Sequence, residues 1–291
     1  MHSPLYHVTS PILQLFKSTS ITHMDFRQFP ENFRSVDRLQ PALTVGLPVF
    51  TFVLVLIDFV TGNAVSNAFA LYAGAIFKLE LNRISMYPLA HTGIFHWFVN
   101  VISLSPLLAR FEKVHGTVYT GITLNLLAVS TALIYSLLAG IISPSTRVEG
   151  LSAICFSFLE FYALKEQSYY PIAFQWGDRY RLPTKYSAFV VLIITFILVP
   201  NSSLLGHLAG IGSGYLLAEN YLKILYPPRK VILFIEDKLE SLIAKLSPIV
   251  VYYREDSAAD TRTVAYVPLF GSDAEASSAR FESSGHVLGT S

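Results

Sequence analysis

The stretch His207-Leu-Ala-Gly210-Ile-Gly-Ser-Gly214 decides how this chain folds. Gly210 and Gly214 form a small-xxx-small face, one helical turn apart, that lets two helix backbones approach closely. His207 heads the same stripe, and apolar residues flank it. An ionisable side chain at membrane depth is expensive, so this histidine reads as functional once the helix is taken to span a bilayer.

Composition supports that setting. Of the residues, 52% are apolar and only 14% charged, where a soluble domain usually carries about a quarter charged residues. A net charge of +1 supplies no field to steer nucleic acid or acidic substrates. One cysteine, Cys155, excludes an intrachain disulfide framework and any multi-cysteine zinc site. Residues 1–41 contain no apolar run of the kind a signal peptide needs.

Six stretches read as spanning helices: 42–60, 89–109, 117–142, 150–165, 185–200 and 203–222. Most approach the ~20 residues that a ~30 Å hydrocarbon core requires. Pro200-Asn201-Ser202 reads as a tight turn between the last two. An even number of spans leaves both termini on one side. That side carries Lys17, Arg27, Arg34, Arg38, Arg110, Lys113, Lys165, Arg179, Arg181, Lys185, Lys223, Arg229 and Lys230, against only Lys78, Arg83 and Arg147 opposite. The positive-inside rule then makes both termini cytosolic. His91, Ser152 and His207 come to one depth in the lumenal or external half.

The residues between the first two spans show an apolar stripe of Phe69, Tyr72, Ile76 and Leu79. It predicts a helix over 67–80 lying in the interface. Beyond Pro227-Pro228, residues 229–247 predict an amphipathic helix on the cytosolic surface. Residues 251–291 hold few large apolar groups and are expected to be disordered. The fold expected is an all-α polytopic membrane protein. It divides into a cytosolic segment 1–41, a six-helix membrane domain 42–222, an amphipathic helix within 223–250 and a tail 251–291.

Gly150-Leu-Ser152-Ala153 supplies a serine with small neighbours at the outer end of the fourth span. A serine becomes a useful nucleophile only when a base takes its proton, and neutral histidine is the usual base near pH 7. The small-residue stripe would bring His207 against Ser152. Neither residue is convincing alone: serine in a membrane helix most often bonds its own i−4 carbonyl, and small stripes are ordinary packing. The stretch His91-Thr-Gly-Ile-Phe-His96-Trp-Phe-Val-Asn100 changes the balance. His96 and Asn100 share a helix face, and both can donate to a developing oxyanion. His91 is rotated away and suits a bracing role. A metal site is the competing reading, but no acidic residue joins these histidines, as hydrolytic zinc sites often require. No metal or cofactor is expected. Glu160, eight residues past Ser152, is too deep for this site.

These features resemble the rhomboid intramembrane serine proteases across roughly residues 42–222. Asn82-Arg83-Ile-Ser-Met-Tyr87-Pro88-Leu-Ala-His91 is similar to the family's Trp-Arg…Tyr-x-x-x-His segment before its second helix. His91-x4-His96-x3-Asn100, Glu112 with Gly116, Gly150-x-Ser152 and His207-x-x-Gly210-x-x-x-Gly214 follow in the family's order. Asn82 stands where the family commonly has Trp, and Ala153 where it commonly has Gly. The resemblance implies a six-transmembrane-helix bundle cleaving peptide bonds in or beside substrate transmembrane helices. Ser152 would be the nucleophile and His207 the base. His96, Asn100 and the Ser152 N–H would hold the oxyanion, with His91 and Gly150 supporting. No acid is expected to orient His207, because the family uses a Ser–His dyad.

In the tail, Phe281-Glu-Ser283-Ser-Gly285-His-Val-Leu288 is similar to the motif that binds the AAA+ unfoldase valosin-containing protein, with Ser283 in place of its first Gly. Phe281, Gly285 and Leu288 would make that contact. Six spans with such a tail look like the fungal Golgi/ER branch of the family, implying partners among membrane-anchored transcription-factor precursors. The alternative is a non-catalytic, derlin-like adaptor delivering membrane clients to the unfoldase. Such an adaptor has no need to keep Ser152 and His207 paired. A transporter is disfavoured because the polar groups cluster at one depth instead of crossing the bilayer.

Overall fold

The computed structural model describes residues 39–176, 179–199 and 202–264. Its elements run α1 (Ala42–Val60), α2 (Ala64–Phe69), β1 (Leu71–Tyr72), α3 (Leu81–Met86), α4 (Ile94–His115), α5 (Thr117–Ile142), β2 (Arg147–Val148), α6 (Ser152–Glu166), β3 (Ile172–Trp176), β4 (Tyr180–Pro183), α7 (Ser187–Leu198), α8 (Leu204–Ala218), α9 (Arg229–Leu246) and α10 (Glu255–Val264). By length and composition, α1, α4 and α5 are long and apolar enough to cross a membrane, and α7 and α8 are shorter apolar helices. Large apolar side chains stand on the outer surface, Phe59 at 86% and Ile141 at 87% exposure. Such a surface suits contact with lipid chains. The described residues are mostly helical, with two short antiparallel pairs among them added to the expected all-α architecture: β1 with β2, and β3 with β4.

Helix α6 is central and buried on nearly all sides, with Ile154, Phe158 and Phe161 inside the core. It packs most extensively on α8 and also against α4, α5 and α7. Glycine makes the α8 contact possible. A Cβ on Gly210 would overlap the Ala153 carbonyl oxygen and stand 3.0 Å from its carbon. One on Gly214 would overlap the Ser157 carbonyl and stand 2.9 Å from Glu160 Cβ. Ser157 Oγ bridges the two backbones, 3.0 Å from the Ala153 carbonyl oxygen and 2.9 Å from that of Gly210. Fifteen residues make α6 and α8 each about 22 Å long. That is shorter than a ~30 Å hydrocarbon core.

At the other end of the bundle Glu112 gathers three helix termini. Its buried carboxylate accepts from Leu43 N–H, Thr44 N–H, Thr44 Oγ1 and Thr117 Oγ1, each at 2.8 Å. Leu43 and Thr44 lie in the first turn of α1, where amides have no intrahelical partner and the helix dipole favours an anion. Gly116, at φ +90, makes the sharp joint between α4 and α5.

Three expectations are corrected. The helix predicted over 67–80 is broken into α2, β1 and a 3-10 turn at Ala73–Ala75. Arg83 folds the segment back: its guanidinium donates to the Asn67 and Ala70 carbonyls at 2.6 and 2.7 Å, and Nε meets Glu80 at 2.6 Å. Asn82 Nδ2 adds a bond to the Ala68 carbonyl at 2.8 Å. The second predicted helix, 89–109, is shifted to Ile94–His115. The chain before it turns through a 3-10 segment at Tyr87–Leu89, so His91 sits in a loop. At the far end, burial of Phe111 and Glu112 carries the helix on to His115.

Disorder beginning at 251 is also wrong for the described part of the tail. Residues 251–264 include α10 and satisfy open helix ends. Val251 accepts from Ala42 N–H at 2.8 Å, Tyr253 accepts from Thr117 N–H at 2.9 Å, and Arg262 donates to the His115 carbonyl at 2.6 Å. Arg262 also pairs with buried Glu255 at 2.6 Å and lies 3.7 Å over the Tyr119 ring. Helix-end saturation fixes this polar segment, where composition could see only a lack of apolar bulk. Residues 1–38 of the expected segment 1–41, Pro200 and Asn201 of the turn Pro200-Asn201-Ser202, and the motif residues Phe281, Gly285 and Leu288 lie outside the described residues.

The α6–α8 contact yields a direct test. Gly210→Ala drives a methyl into the Ala153 carbonyl, and overpacking of this kind costs about 1–3 kcal/mol. A lower thermal unfolding midpoint in detergent is expected, together with proteolysis reduced more than about tenfold, as expected when reacting groups are misplaced. Unchanged values for both would show that the helices do not meet there.

Candidate active site

Ser152 is the first residue of α6, and His207 lies in the first turn of α8. Ser203 N-caps α8, its Oγ accepting from Gly206 N–H at 3.0 Å, which fixes where that helix begins. The glycine contact one turn further on brings the two helix starts together. His207 Nε2 lies 3.0 Å from Ser152 Oγ. His207 is buried and its ring packs on Phe156, with centroids 4.5 Å apart. Its Nδ1 has no hydrogen-bond partner among the described residues. For Nε2 to take the serine proton, the ring proton must sit on Nδ1. Packing against Phe156 orients the ring where a triad would use a carboxylate.

Gly150 shapes the other wall. Its φ of +103 belongs to a region that side chains disfavour, and its N–H donates to the Tyr87 carbonyl at 3.0 Å. A Cβ there would stand 2.7 Å from His96 Cε1, 2.9 Å from His96 Nε2 and 3.4 Å from Asn100 Nδ2. The absent side chain therefore admits His96 and Asn100, two residues in sequence from Ser152. Asn100 is buried and spends one amide proton on the His96 carbonyl at 2.8 Å, leaving the other available. Thr92 Oγ1 lies 3.0 Å from His96 Nδ1. If the threonine donates, the ring proton falls on Nε2, the nitrogen beside Gly150. His91 stands behind, buried, its ring edge-to-face with that of His96 at a centroid separation of 5.3 Å and its Nδ1 3.3 Å from the Leu89 carbonyl.

All six residues expected around the membrane site are thus in one neighbourhood: Ser152 with His207, and Gly150 with His96, Asn100 and, through His96, His91. Three groups were not anticipated. Thr92 was legible as an i, i+4 partner of His96, and Phe156 as an i, i+4 neighbour of Ser152. The Tyr87 carbonyl could come only from the fold. Among the described residues no group of three or more metal-binding side chains occurs.

Gly150→Ala combines a strained φ with a collision against His96. It is expected to reduce cleavage at least about a hundredfold, the scale of a 1 Å misplacement. Rates within twofold of the parent would contradict this geometry.

The family model for the Rhomboid domain matches residues 78–223. The chain is 50% identical over 238 residues to rhomboid-type serine protease 2 of Debaryomyces hansenii, covering 81% of this chain and 83% of that one. It is 45% identical to the protein of that name from Candida albicans, covering 92% of this chain and 98% of the other. With the Saccharomyces cerevisiae protein the figures are 35%, 86% and 94%. Identity at this level extends over most of both chains and includes the domain that carries Ser152 and His207. The chain therefore belongs to the rhomboid family, as an integral membrane serine endopeptidase.

Proposed function

We propose that this protein cleaves peptide bonds in or beside substrate transmembrane helices with Ser152 as nucleophile and His207 as general base. The observation that carries the reading is the 3.0 Å contact between His207 Nε2 and Ser152 Oγ. Ser152 Oγ attacks the scissile carbonyl carbon while its proton passes to His207 Nε2. The oxyanion is held by His96 Nε2–H, the free Asn100 amide proton and the Ser152 backbone N–H. Collapse breaks the C–N bond, and His207 returns the proton to the leaving amine. Water then hydrolyses the acyl-enzyme by the same steps reversed in role. His91 and Gly150 support the oxyanion wall.

The membrane arrangement proposed has six spans, α1 and α4 to α8, with both termini cytosolic. Helices α6 and α8, at fifteen residues each, end within the hydrocarbon depth, which suits a site sunk below the surface and reached by water from the lumenal side. Exposed Phe77, Leu79 and Leu81 suit a connection resting in the interface, and exposed Val231, Phe234 and Leu242 suit α9 doing so on the cytosolic face. A Golgi or ER membrane and a transcription-factor precursor as substrate follow from the likeness to the fungal branch. The tail 265–291 would tether a valosin-containing-protein-type unfoldase through Phe281, Gly285 and Leu288.

Ser152→Ala and His207→Ala are each expected to abolish cleavage of a reconstituted transmembrane substrate and labelling by a fluorophosphonate, while the protein remains folded and inserted. Cleavage surviving in purified Ser152→Ala would overturn the dyad, and absence of probe labelling in native membranes would favour the adaptor.

Phe281→Ala, or removal of 279–291, is expected to abolish unfoldase pull-down without changing proteolysis in vitro. Binding that persists would make the motif a chance likeness.

A further inference from the structure

Three consecutive residues before the nucleophile are tied to the connection between α1 and α4. Val148 pairs with Leu71 in the β1–β2 ladder, and Gly150 N–H donates to the Tyr87 carbonyl. Between them, Glu149 reaches Ser66 on α2. Ser66 Oγ lies 3.0 Å from Glu149 Oε1 and 2.7 Å from Asp58 Oδ2. Asp58 also accepts from the Val65 and Ser66 amides at 2.7 and 3.0 Å, and so holds the start of α2.

A hydroxyl has one proton and can donate fully to only one carboxylate. The shorter contact commits that proton to Asp58. The Glu149 contact is complete when the carboxyl carries its own proton and donates to the Ser66 oxygen. We propose that Glu149 is a positioning residue for Ser152: as a neutral carboxyl it donates to Ser66, and the chain Glu149–Ser66–Asp58 fixes the segment that delivers the nucleophile. This rests on the dyad reading above.

The surroundings favour the neutral form. Burial pushes the Glu149 carboxyl above the ordinary carboxylate range, a Ser66 proton turned toward Glu149 instead of Asp58 would oppose this, and the Asp58 charge pushes further up. Among the described residues neither carboxyl has an ion-pair partner. Arg83 is committed to Glu80 and two carbonyls, and Arg147, two residues before Glu149, is exposed. The chain of bonds is therefore complete below the raised Glu149 value and is lost as pH rises through it, when two carboxylates face one hydroxyl proton.

The test is proteolysis by the full-length protein in proteoliposomes from about pH 5 to about pH 9, a range that begins just above the ordinary carboxylate value. Glu149→Ala is expected to lower kcat about tenfold, with KM within about twofold, because orientation rather than binding is lost. Glu149→Gln donates an amide N–H to Ser66 at every pH, and is expected to recover most of that rate. Its rate divided by that of the parent should rise with pH, a ratio in which His207 titration cancels. A ratio flat with pH, or Glu149→Ala with the parent's kcat, overturns the inference. Should Glu149→Ala fail to accumulate, the Glu149→Gln ratio decides. Ser152→Ala is measured alongside: inactive Ser152→Ala with a flat ratio overturns the Glu149 role alone, and active Ser152→Ala overturns the dyad and this role together.

Discussion

Backbone lies on backbone where α8 crosses α6, and the rest of the molecule depends on that contact. Lipid chains are as apolar as leucine, so helices inside a bilayer gain little from hiding hydrocarbon from water. Close packing and hydrogen bonds must hold them together instead. Gly210 and Gly214 let α8 rest on the Ala153 and Ser157 carbonyls, and Ser157 Oγ bonds across the seam. At the head of that seam stand Ser152, next to Ala153, and His207, one turn before Gly210. Their separation is therefore set by the thickness of two helix backbones, a dimension far less variable than a side-chain packing.

Polar groups at the two ends of the bundle serve different purposes. At the Glu112 end they saturate helix termini: one carboxylate serves α1 and α5, and the 251–264 segment adds a partner at an end of each of α1, α4 and α5. At the Ser152 end the ties fall on the loop that delivers the nucleophile, through Leu71, Ser66 and Tyr87. The first set secures the scaffold. The second lets a short connection hold a strained glycine beside His96. Within the site, Phe156 and Thr92 do for the two histidines what carboxylates often do elsewhere, which suits a surrounding where an added charge would be costly.

Much of this was legible in the sequence, for identifiable reasons. Helices at 42–60 and 117–142 have the expected bounds because their apolar runs are closed by Pro41 and by Ser143-Pro144. The small-residue stripe foretold which helix His207 would meet, since only glycine permits that approach. Periodicity misled at 67–80, where Phe69, Tyr72, Ile76 and Leu79 keep a helical spacing while Arg83 takes the carbonyls a helix would need. Composition misled at 251–264 because it weighs apolar bulk and cannot see unpaired amides on distant helices. The amides that Asp58 and Glu112 accept from were out of reach for the same reason.

The sequence by itself determined the chemistry available: a serine, histidines and an asparagine in apolar surroundings, with glycines spaced for close contact. Helical period and residue size are local properties, and they suffice for that much. Only the tertiary structure decided the distances and the partners. The 3.0 Å between Ser152 and His207, the cleft that Gly150 opens for His96, and the single hydroxyl shared by Asp58 and Glu149 each join residues from separate elements. No spacing along the chain encodes such contacts, because they arise where helix ends, already fixed by packing, are left with hydrogen bonds to complete.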